Sequence, residues 1–305
     1  VKVFIAGGTG FIGTALTGIL LRQNHNVTIL SRKHFDRFTL RDRLTFISGD
    51  ATRPGTWQKS LTGQDAVINM AGLSIFRRWT ENNKRKIITS RTSTTHNIVS
   101  ALQDNNKNRI TLLNVSGVGY YGHCNDEFIE EGHPPGNDFL ARLAVEWEAE
   151  ALKARKSGAR VIICRLGHVQ GADGGMVPRL ASLSKWCLGG RWGNGRQWLS
   201  WIHKRDLIQA LLFLLNNPDM EGAVNVCSPN PVRNREMMEI YSDILRIRPQ
   251  IPQIPGFLLR VMLGEFADAF LNGQRVIPAV LINSGFHFSF PFLRDALSDL
   301  LIFDE

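Results

Sequence analysis

Val1-Lys2-Val3-Phe4-Ile5-Ala6-Gly7-Gly8-Thr9-Gly10-Phe11-Ile12-Gly13 begins a stretch that runs to Ser31-Arg32-Lys33 and decides the fold. Its first residues are apolar and β-branched, which predicts a buried strand. A glycine-rich turn follows, and then apolar residues at helical spacing: Phe11, Ile12, Ala15, Leu16, Ile19 and Leu20. A second apolar run, Val27-Thr28-Ile29-Leu30, closes a βαβ unit of about thirty residues. In that setting Gly8-x-Gly10-x-x-Gly13, overlapped by Gly7-x-x-Gly10-x-x-Gly13, reads as a dinucleotide-binding turn. The glycines let backbone N–H groups approach a pyrophosphate at a helix N-terminus, and Gly13 lets the helix pack close to the strand.

Working outward, the strand–helix alternation continues. Leu44–Ile47, Ala66–Gly72, Ile110–Val115 and Arg160–Arg165 read as further strands. Helices are expected at about 81–104 and 138–157. This pattern predicts an α/β fold with a doubly wound parallel sheet. Past Gly167 glycines and tryptophans cluster, including Gly171, Gly174, Trp186, Gly189, Trp192, Trp198 and Trp201, which suggests loops and short elements over a cleft. A helix at Asp206–Asn216 and a strand at Val224–Val226 are expected to return to the main sheet. Helices near 235–246 and 256–271 are expected beyond them, separated by Pro249, Pro252 and Pro255. Segments near 200–228 are thus expected to rejoin the sheet built by residues 1–165.

Composition narrows the partners. The 305 residues are 43% hydrophobic, enough for a sizeable core, and carry a net charge of +9. The densest basic group, Arg77-Arg78, Lys84-Arg85-Lys86 and Arg91, falls on an expected helix and reads as its solvated face. No aromatic–basic signature accompanies it, so nucleic acid is not an expected partner. The four cysteines form no metal-ligand spacing and read as reduced packing thiols. The chain enters a strand at once, and its longest apolar run, Leu207–Leu215, is too short to span a bilayer. A cytoplasmic protein without a membrane partner is expected; a homodimer is left open.

Several motifs together resemble the extended short-chain dehydrogenase/reductase superfamily. They are Gly7-x-x-Gly10-x-x-Gly13, Asp50 after the third strand, Asn69-x-Ala71-Gly72 after the fourth, Ser116 after the fifth, and Tyr121-Gly122. Gly119–Gly122, Trp147-Glu148, Gly195-Arg196-Gln197, Trp201-Ile202-His203, Pro231–Asn234 and Gly273–Pro278 resemble, more narrowly, its atypical epimerase-family branch. That branch contains 39U1-type, nucleoside-diphosphate-sugar-epimerase-like and so-called cell-division-inhibitor-like proteins. The resemblance covers essentially the whole chain, and it implies an NADP-binding Rossmann-type domain over 1–165 with a smaller, mainly substrate-binding domain over 166–305. It implies a nicotinamide dinucleotide held by Gly7, Gly10, Phe11, Ile12, Gly13, Ser31, Arg32, Asp50, Asn69, Ala71, Gly72 and Arg142.

The end of the second strand sets the expected cofactor. An acid there would bind a ribose 2′-hydroxyl, but the chain has Ser31 and Arg32, suited to a 2′-phosphate, so NADP(H) is expected. Asp50 is expected to accept from an adenine amino group. The superfamily carries proton transfer on a Ser/Thr after the fifth strand and a Tyr-x-x-x-Lys pair on the next helix. Here either Ser116 or Gly117 occupies the serine position, Arg142 aligns with the lysine, and Asp138 stands where the tyrosine would be. Ser116, Tyr121 and Arg142 are therefore the catalytic candidates, with Tyr120 beside them. Arg196, Trp201, His203 and Arg233 are candidates for the substrate, Trp201 as a stacking face and the arginines for an anionic group. Asp206 is expected to cap the following helix. The expected function is an NADP(H)-binding oxidoreductase on a small polar substrate; a nucleotide-sugar epimerase and a non-catalytic NADPH-binding sensor are the alternatives.

Overall fold

The computed structural model describes residues 1–32, 42–103, 110–178, 191–245 and 254–301. Strand β1 (Lys2–Ala6) is buried from Val3 to Ala6, and β4 (Ala66–Asn69) is buried throughout. Continuous burial is what a parallel strand covered on both faces requires. The other strands of the sheet are β2 (Asn26–Ser31), β3 (Leu44–Ser48), β5 (Thr111–Gly117), β7 (Arg160–Leu166) and β12 (Gly222–Val226). The seven run parallel in the order β3-β2-β1-β4-β5-β7-β12. The strand expected at Val224–Val226 does rejoin the sheet, as its edge.

Helix α1 (Phe11–Arg22) and the Lys204–Asn216 helix cover one face, burying Leu16, Leu20, Leu207 and Leu211 against Ile5 and Ile29. Helices α2 (Glu81–Gln103) and α3 (Phe139–Leu152) cover the other, with Ile98, Leu102 and Ala151 against Phe4, Val67 and Ile163. The expected α3 start moves by one residue, because Asp138 is the N-cap and accepts the Ala141 N–H at 2.8 Å. The chain leaves β1 toward β2 and β3 and then returns to β4 on the opposite side. The order therefore reverses between β1 and β4, and a crevice opens beyond their carboxyl ends.

Shorter pairings join later segments to this frame. Strands β8 (His168–Gly171) and β9 (Gly174–Gly175) form a hairpin, and β11 (Trp201–His203) runs parallel to β8. Strand β10 (Trp198–Leu199) pairs antiparallel with β13 (Val232–Arg233). Strand β6 (Phe128–Ile129) runs parallel to β14 (Arg275–Val276). A second apolar cluster, including Trp192, Trp201, Met237, Tyr241, Leu293 and Leu297, lies among these segments. Of the Gly/Trp-rich region, Trp186, Gly189 and Gly190 lie outside the described residues, as do Cys187, Pro249 and Pro252. Among the described residues no helix is long and apolar enough to cross a membrane.

The turn between β1 and α1 is built on close approach. Gly7 sits at φ +90°, and a Cβ there would lie 2.9 Å from the Met70 backbone. A Cβ on Gly13 would lie 2.2 Å from the Gly7 carbonyl oxygen. Gly13→Ala is therefore expected to force α1 away from the turn and cost about 1–3 kcal/mol. Urea unfolding at neutral pH, compared with the parent chain, measures the loss; an unchanged midpoint contradicts the packing.

Candidate functional site

A cleft of about 730 Å³ opens beyond the carboxyl ends of β1 to β4. Gly7 and Gly10 form its floor, Ser31 and Arg32 one end, Asp50 the wall beside them, and Ala71 and Gly72 the opposite side. Helix α1 begins in this cleft with no side-chain cap and no acid in its first turn. Its first N–H groups are thus available to an anion, and the dipole favours one. Gly10 has an ordinary φ of −80°. Asp50 is turned by the next loop: Thr52 donates to its Oδ1 from N at 3.0 Å and from Oγ1 at 2.8 Å. These bonds, with Arg32 and Arg53 nearby, hold its carboxyl below the usual carboxylate range.

The other cofactor candidates sit behind the cleft surface. Asn69 is fully buried, so its side chain does not reach the cleft. Its amide donates to Thr95 Oγ1 at 2.9 Å and Asn114 Oδ1 at 2.7 Å, and its oxygen accepts from Ala71 N at 3.3 Å. Asn69 thereby sets the loop that forms the wall. The Phe11 ring turns away under the β8–β9 hairpin, with Lys204 Nζ 4.5 Å from its centroid. Ile12 packs on the core and Gly13 against Gly7, which leaves the backbone of these three residues at the helix entrance.

Two of the catalytic candidates, Ser116 and Tyr121, lie in a buried polar cluster at the ends of β5, β7 and β12. Ser116 donates to Glu148 Oε1 at 2.7 Å, and Arg165 grips Glu148 through Nε at 3.0 Å and Nη2 at 2.8 Å. Arg165 also donates to the Tyr121 hydroxyl at 2.9 Å, and Tyr121 donates to Asn225 Oδ1 at 2.7 Å. Tyr121 is 1% exposed, and burial pushes its hydroxyl up to about 12. Both hydroxyls are thus engaged and covered. Of the three tyrosines in the chain, Tyr120 alone is not buried; its ring stacks 3.4 Å from the Arg165 guanidinium. Arg142 is exposed and turns back onto the Asn137 carbonyl at the start of its own helix, away from the cleft-lining residues.

The substrate candidates are dispersed. Trp201 is fully buried and donates to the Asn230 carbonyl at 2.9 Å, so it offers no stacking face. His203, not Asp206, caps the Lys204–Asn216 helix: its Nδ1 accepts the Arg205 N–H at 3.1 Å. Asp206 instead accepts the Ser289 and Phe290 N–H groups at 2.9 and 2.8 Å. Arg196 is exposed, and its carbonyl accepts from Arg233. Arg233 also pairs with Asp126 at 2.8 Å and lies over the Trp198 ring.

Sequence reasoning missed Arg91, which periodicity assigned to a solvated face. The structure turns it inward. Nη1 donates to the Leu73 and Ile87 carbonyls at 2.9 and 3.2 Å, and the guanidinium lies over Trp147. A Cβ on Gly72 would touch that guanidinium at 3.0 Å, so Gly72 leaves the space Arg91 occupies beside the cleft. Burial lowers Arg91 to about 10, still charged at neutral pH. Its neighbour Ser90 lines the cleft and accepts the Leu73 N–H at 3.0 Å.

Comparison with known proteins places this geometry. The family model described as NAD dependent epimerase/dehydratase family matches residues 3–227, and a domain of unknown function, DUF1731, matches 254–300. The chain is 37% identical to epimerase family protein YfhF of Bacillus subtilis, over 98% of both chains. It is 35% identical to the chloroplastic epimerase family protein SDR39U1 homolog of Arabidopsis thaliana, over 98% of this chain and 86% of that one. The crystal structure of human epimerase family protein SDR39U1 (isoform 2) with NADPH superimposes with a TM-score of 0.85 at 30% identity, covering 98% and 99% of the chains.

The His203 cap carries a pH signature. Burial depresses the imidazole below its ordinary value near 6.5, although Asp299 and Asp206 pull the other way. Its contribution to stability is present above about pH 6.5 and is lost as pH falls through the folded value, because the unfolded state takes up the proton first. The melting temperature is expected to drop between pH 7.5 and 5.5, and His203→Asn, which retains a cap, is expected to flatten that drop. An equal slope in both proteins contradicts the assignment.

Proposed function

The chain belongs to the NAD dependent epimerase/dehydratase family, and on that premise we propose that it is an NADP(H)-binding oxidoreductase acting on a small polar carbonyl or alcohol. The observation that carries the reading is the end of β2: Ser31 and Arg32 line the cleft where a discriminating carboxylate would otherwise stand. The residues present fit the cofactor. The uncapped α1 entrance suits a pyrophosphate, Gly7 gives it backbone access, and Arg32 with Ser31 suits a 2′-phosphate. The human SDR39U1 complex with NADPH supports the same choice.

Bound NADPH would supply a hydride. The chain must then orient the carbonyl and deliver a proton to the developing alkoxide. Arg91, positive and beside Gly72, is suited to holding an anionic or carbonyl group at the edge of the cleft. Tyr120 is the tyrosine with solvent access, which makes it a better donor candidate than Ser116 or Tyr121. In this division of labour residues 1–165 and the returning segments bind the cofactor, while the rest of 166–305 shapes the substrate. The engagement of both Ser116 and Tyr121 in the buried cluster also favours a second reading, an NADPH-binding sensor without turnover.

Calorimetric titration tests the cofactor. NADPH is expected to bind more tightly than NADH, and Arg32→Ala to weaken NADPH by roughly 1–2 kcal/mol, about 5- to 30-fold for an exposed contact. Gly10→Val is expected to keep the parent circular dichroism and lose cofactor, because its side chain occupies the pyrophosphate path. Equal affinity for the two cofactors, or normal NADPH binding by a folded Gly10→Val chain, would sink the reading.

NADPH oxidation with a panel of carbonyl substrates separates the two functions. A reductase consumes NADPH, and Tyr120→Phe should lower turnover by about 10²–10⁴-fold if Tyr120 donates. Tight NADPH binding without consumption identifies the sensor. Sugar isomer exchange without net consumption rejects both.

A further inference from the structure

The segment between Gly122 and Pro135 holds a second polar constellation that the cofactor cleft does not use. Cys124, Glu127 and His133 bring one ligand atom each within 4.8 Å of one another. Cys124 is anchored there by its N–H, which donates to the Gly273 carbonyl at 3.1 Å, and by packing with Ile129 and Val276. His133 is held by its N–H to the Glu130 carbonyl at 3.1 Å and by edge-to-face contact with Tyr121.

The imidazole orientation is informative. Its Nδ1 lies 2.8 Å from the Pro134 carbonyl, which can only accept, so Nδ1 carries the proton. In the neutral ring Nε2 then presents a lone pair, and it faces a Glu127 carboxylate oxygen at 3.6 Å. With the ring neutral, Nε2 and the Glu127 oxygen both present lone pairs, and the Cys124 sulfur, now donating to the Tyr121 carbonyl at 3.5 Å, lies within reach of both. A cation between them would satisfy all three. A metal-ligating histidine commonly has its other ring N–H fixed on a backbone carbonyl in this manner.

We propose that Cys124, Glu127 and His133 form a zinc-binding site, with water in the fourth position. Thiolate, imidazole and carboxylate together suit zinc rather than calcium or magnesium. Tetrahedral coordination wants ligand atoms about 3.5 Å apart, and the Glu127 side chain, 63% exposed, has the freedom to close the difference. The neighbouring Asp126 and His123 are already engaged, by Arg233 and Trp198 and by the Gly273 N–H. On binding, the Cys124 S–H bond breaks, a zinc–sulfur bond forms, and the proton leaves to solvent.

The position gives the ion a structural task. The same segment carries β6, paired with β14, and Glu131, whose carboxylate accepts the Asn225 and Val280 N–H groups at 3.0 and 3.2 Å. The Glu131 carbonyl accepts from Arg165 at 3.1 Å. Zinc would pin this strap over the Arg165–Glu148 cluster.

The test uses the full chain, stripped with a chelator and titrated with cobalt(II). One equivalent should bind, with tetrahedral ligand-field absorption and a thiolate-to-cobalt charge-transfer band, and zinc should displace it. Cys124→Ser should abolish the charge-transfer band and weaken zinc by more than about 100-fold in chelator competition, beyond the loss typical of an outer-shell change. His133→Gln should weaken zinc comparably, and circular dichroism should confirm that both variants fold. The proposal fails if no stoichiometric uptake occurs. It fails equally if the band survives in Cys124→Ser, which would assign it to another thiol, or if nuclear magnetic resonance shows His133 doubly protonated at pH 7.5 and unmoved by zinc.

Discussion

Arg165 is the residue on which the far half of the structure depends. It stands at the end of β7, 4% exposed, and its guanidinium joins α3 through Glu148, the β5 turn through Tyr121, and the following segment through the Glu131 carbonyl. Tyr120 covers its face. An ion pair this deep exists at the expense of hydration, which only dense hydrogen bonding offsets, and removing one partner strands the other charge. Such a cluster is therefore weak evidence of net stability. Here it draws the ends of β5, β7 and β12 together beside the cleft, and Ser116 and Tyr121 are committed to it.

That commitment bears on the chemistry. A hydroxyl that donates to a buried carboxylate, or one that burial raises to about 12, is well placed to hold a shape. It is poorly placed to give up a proton to a solvent-facing substrate. The helix that bears the usual tyrosine–lysine pair in this superfamily here begins with a capping aspartate and an outward arginine. The dinucleotide-binding architecture is kept, while the ends of β5, β7 and β12 are built around Arg165.

The legibility of the sequence follows the range of the interactions involved. The β1–α1–β2 unit was readable because its determinants are local: strand burial, a turn that tolerates no side chain at Gly13, and helical periodicity. The cleft residues Gly7, Gly10, Ser31, Arg32, Asp50, Ala71 and Gly72 fall at strand ends, where fold class alone predicts a ligand. Trp201 and His203 misled because their surroundings come from distant segments, Asn230 for one and Phe290 with Asp299 for the other. Arg91 misled for the same reason: on its own helix it belongs to a basic run, and only Trp147 and the Leu73 carbonyl turn it inward. A convergence of Cys124, Glu127 and His133 has no regular spacing to announce it.

The position of β12 at the sheet edge bears on how the chain is made. Its partner β7 ends at Leu166, yet β12 begins only at Gly222. At ribosomal speeds of about 5–20 residues per second, some 3–11 seconds separate their synthesis. Throughout that interval β7 presents an apolar, unpaired edge, the kind of surface on which nascent chains associate wrongly. The β6–β14 pair must wait longer still, since nearly half the chain separates Arg275 from Phe128. The nascent protein thus spends its most vulnerable period with the nucleotide-binding half largely assembled and its flank open, a stage at which chaperone capture would act on β7.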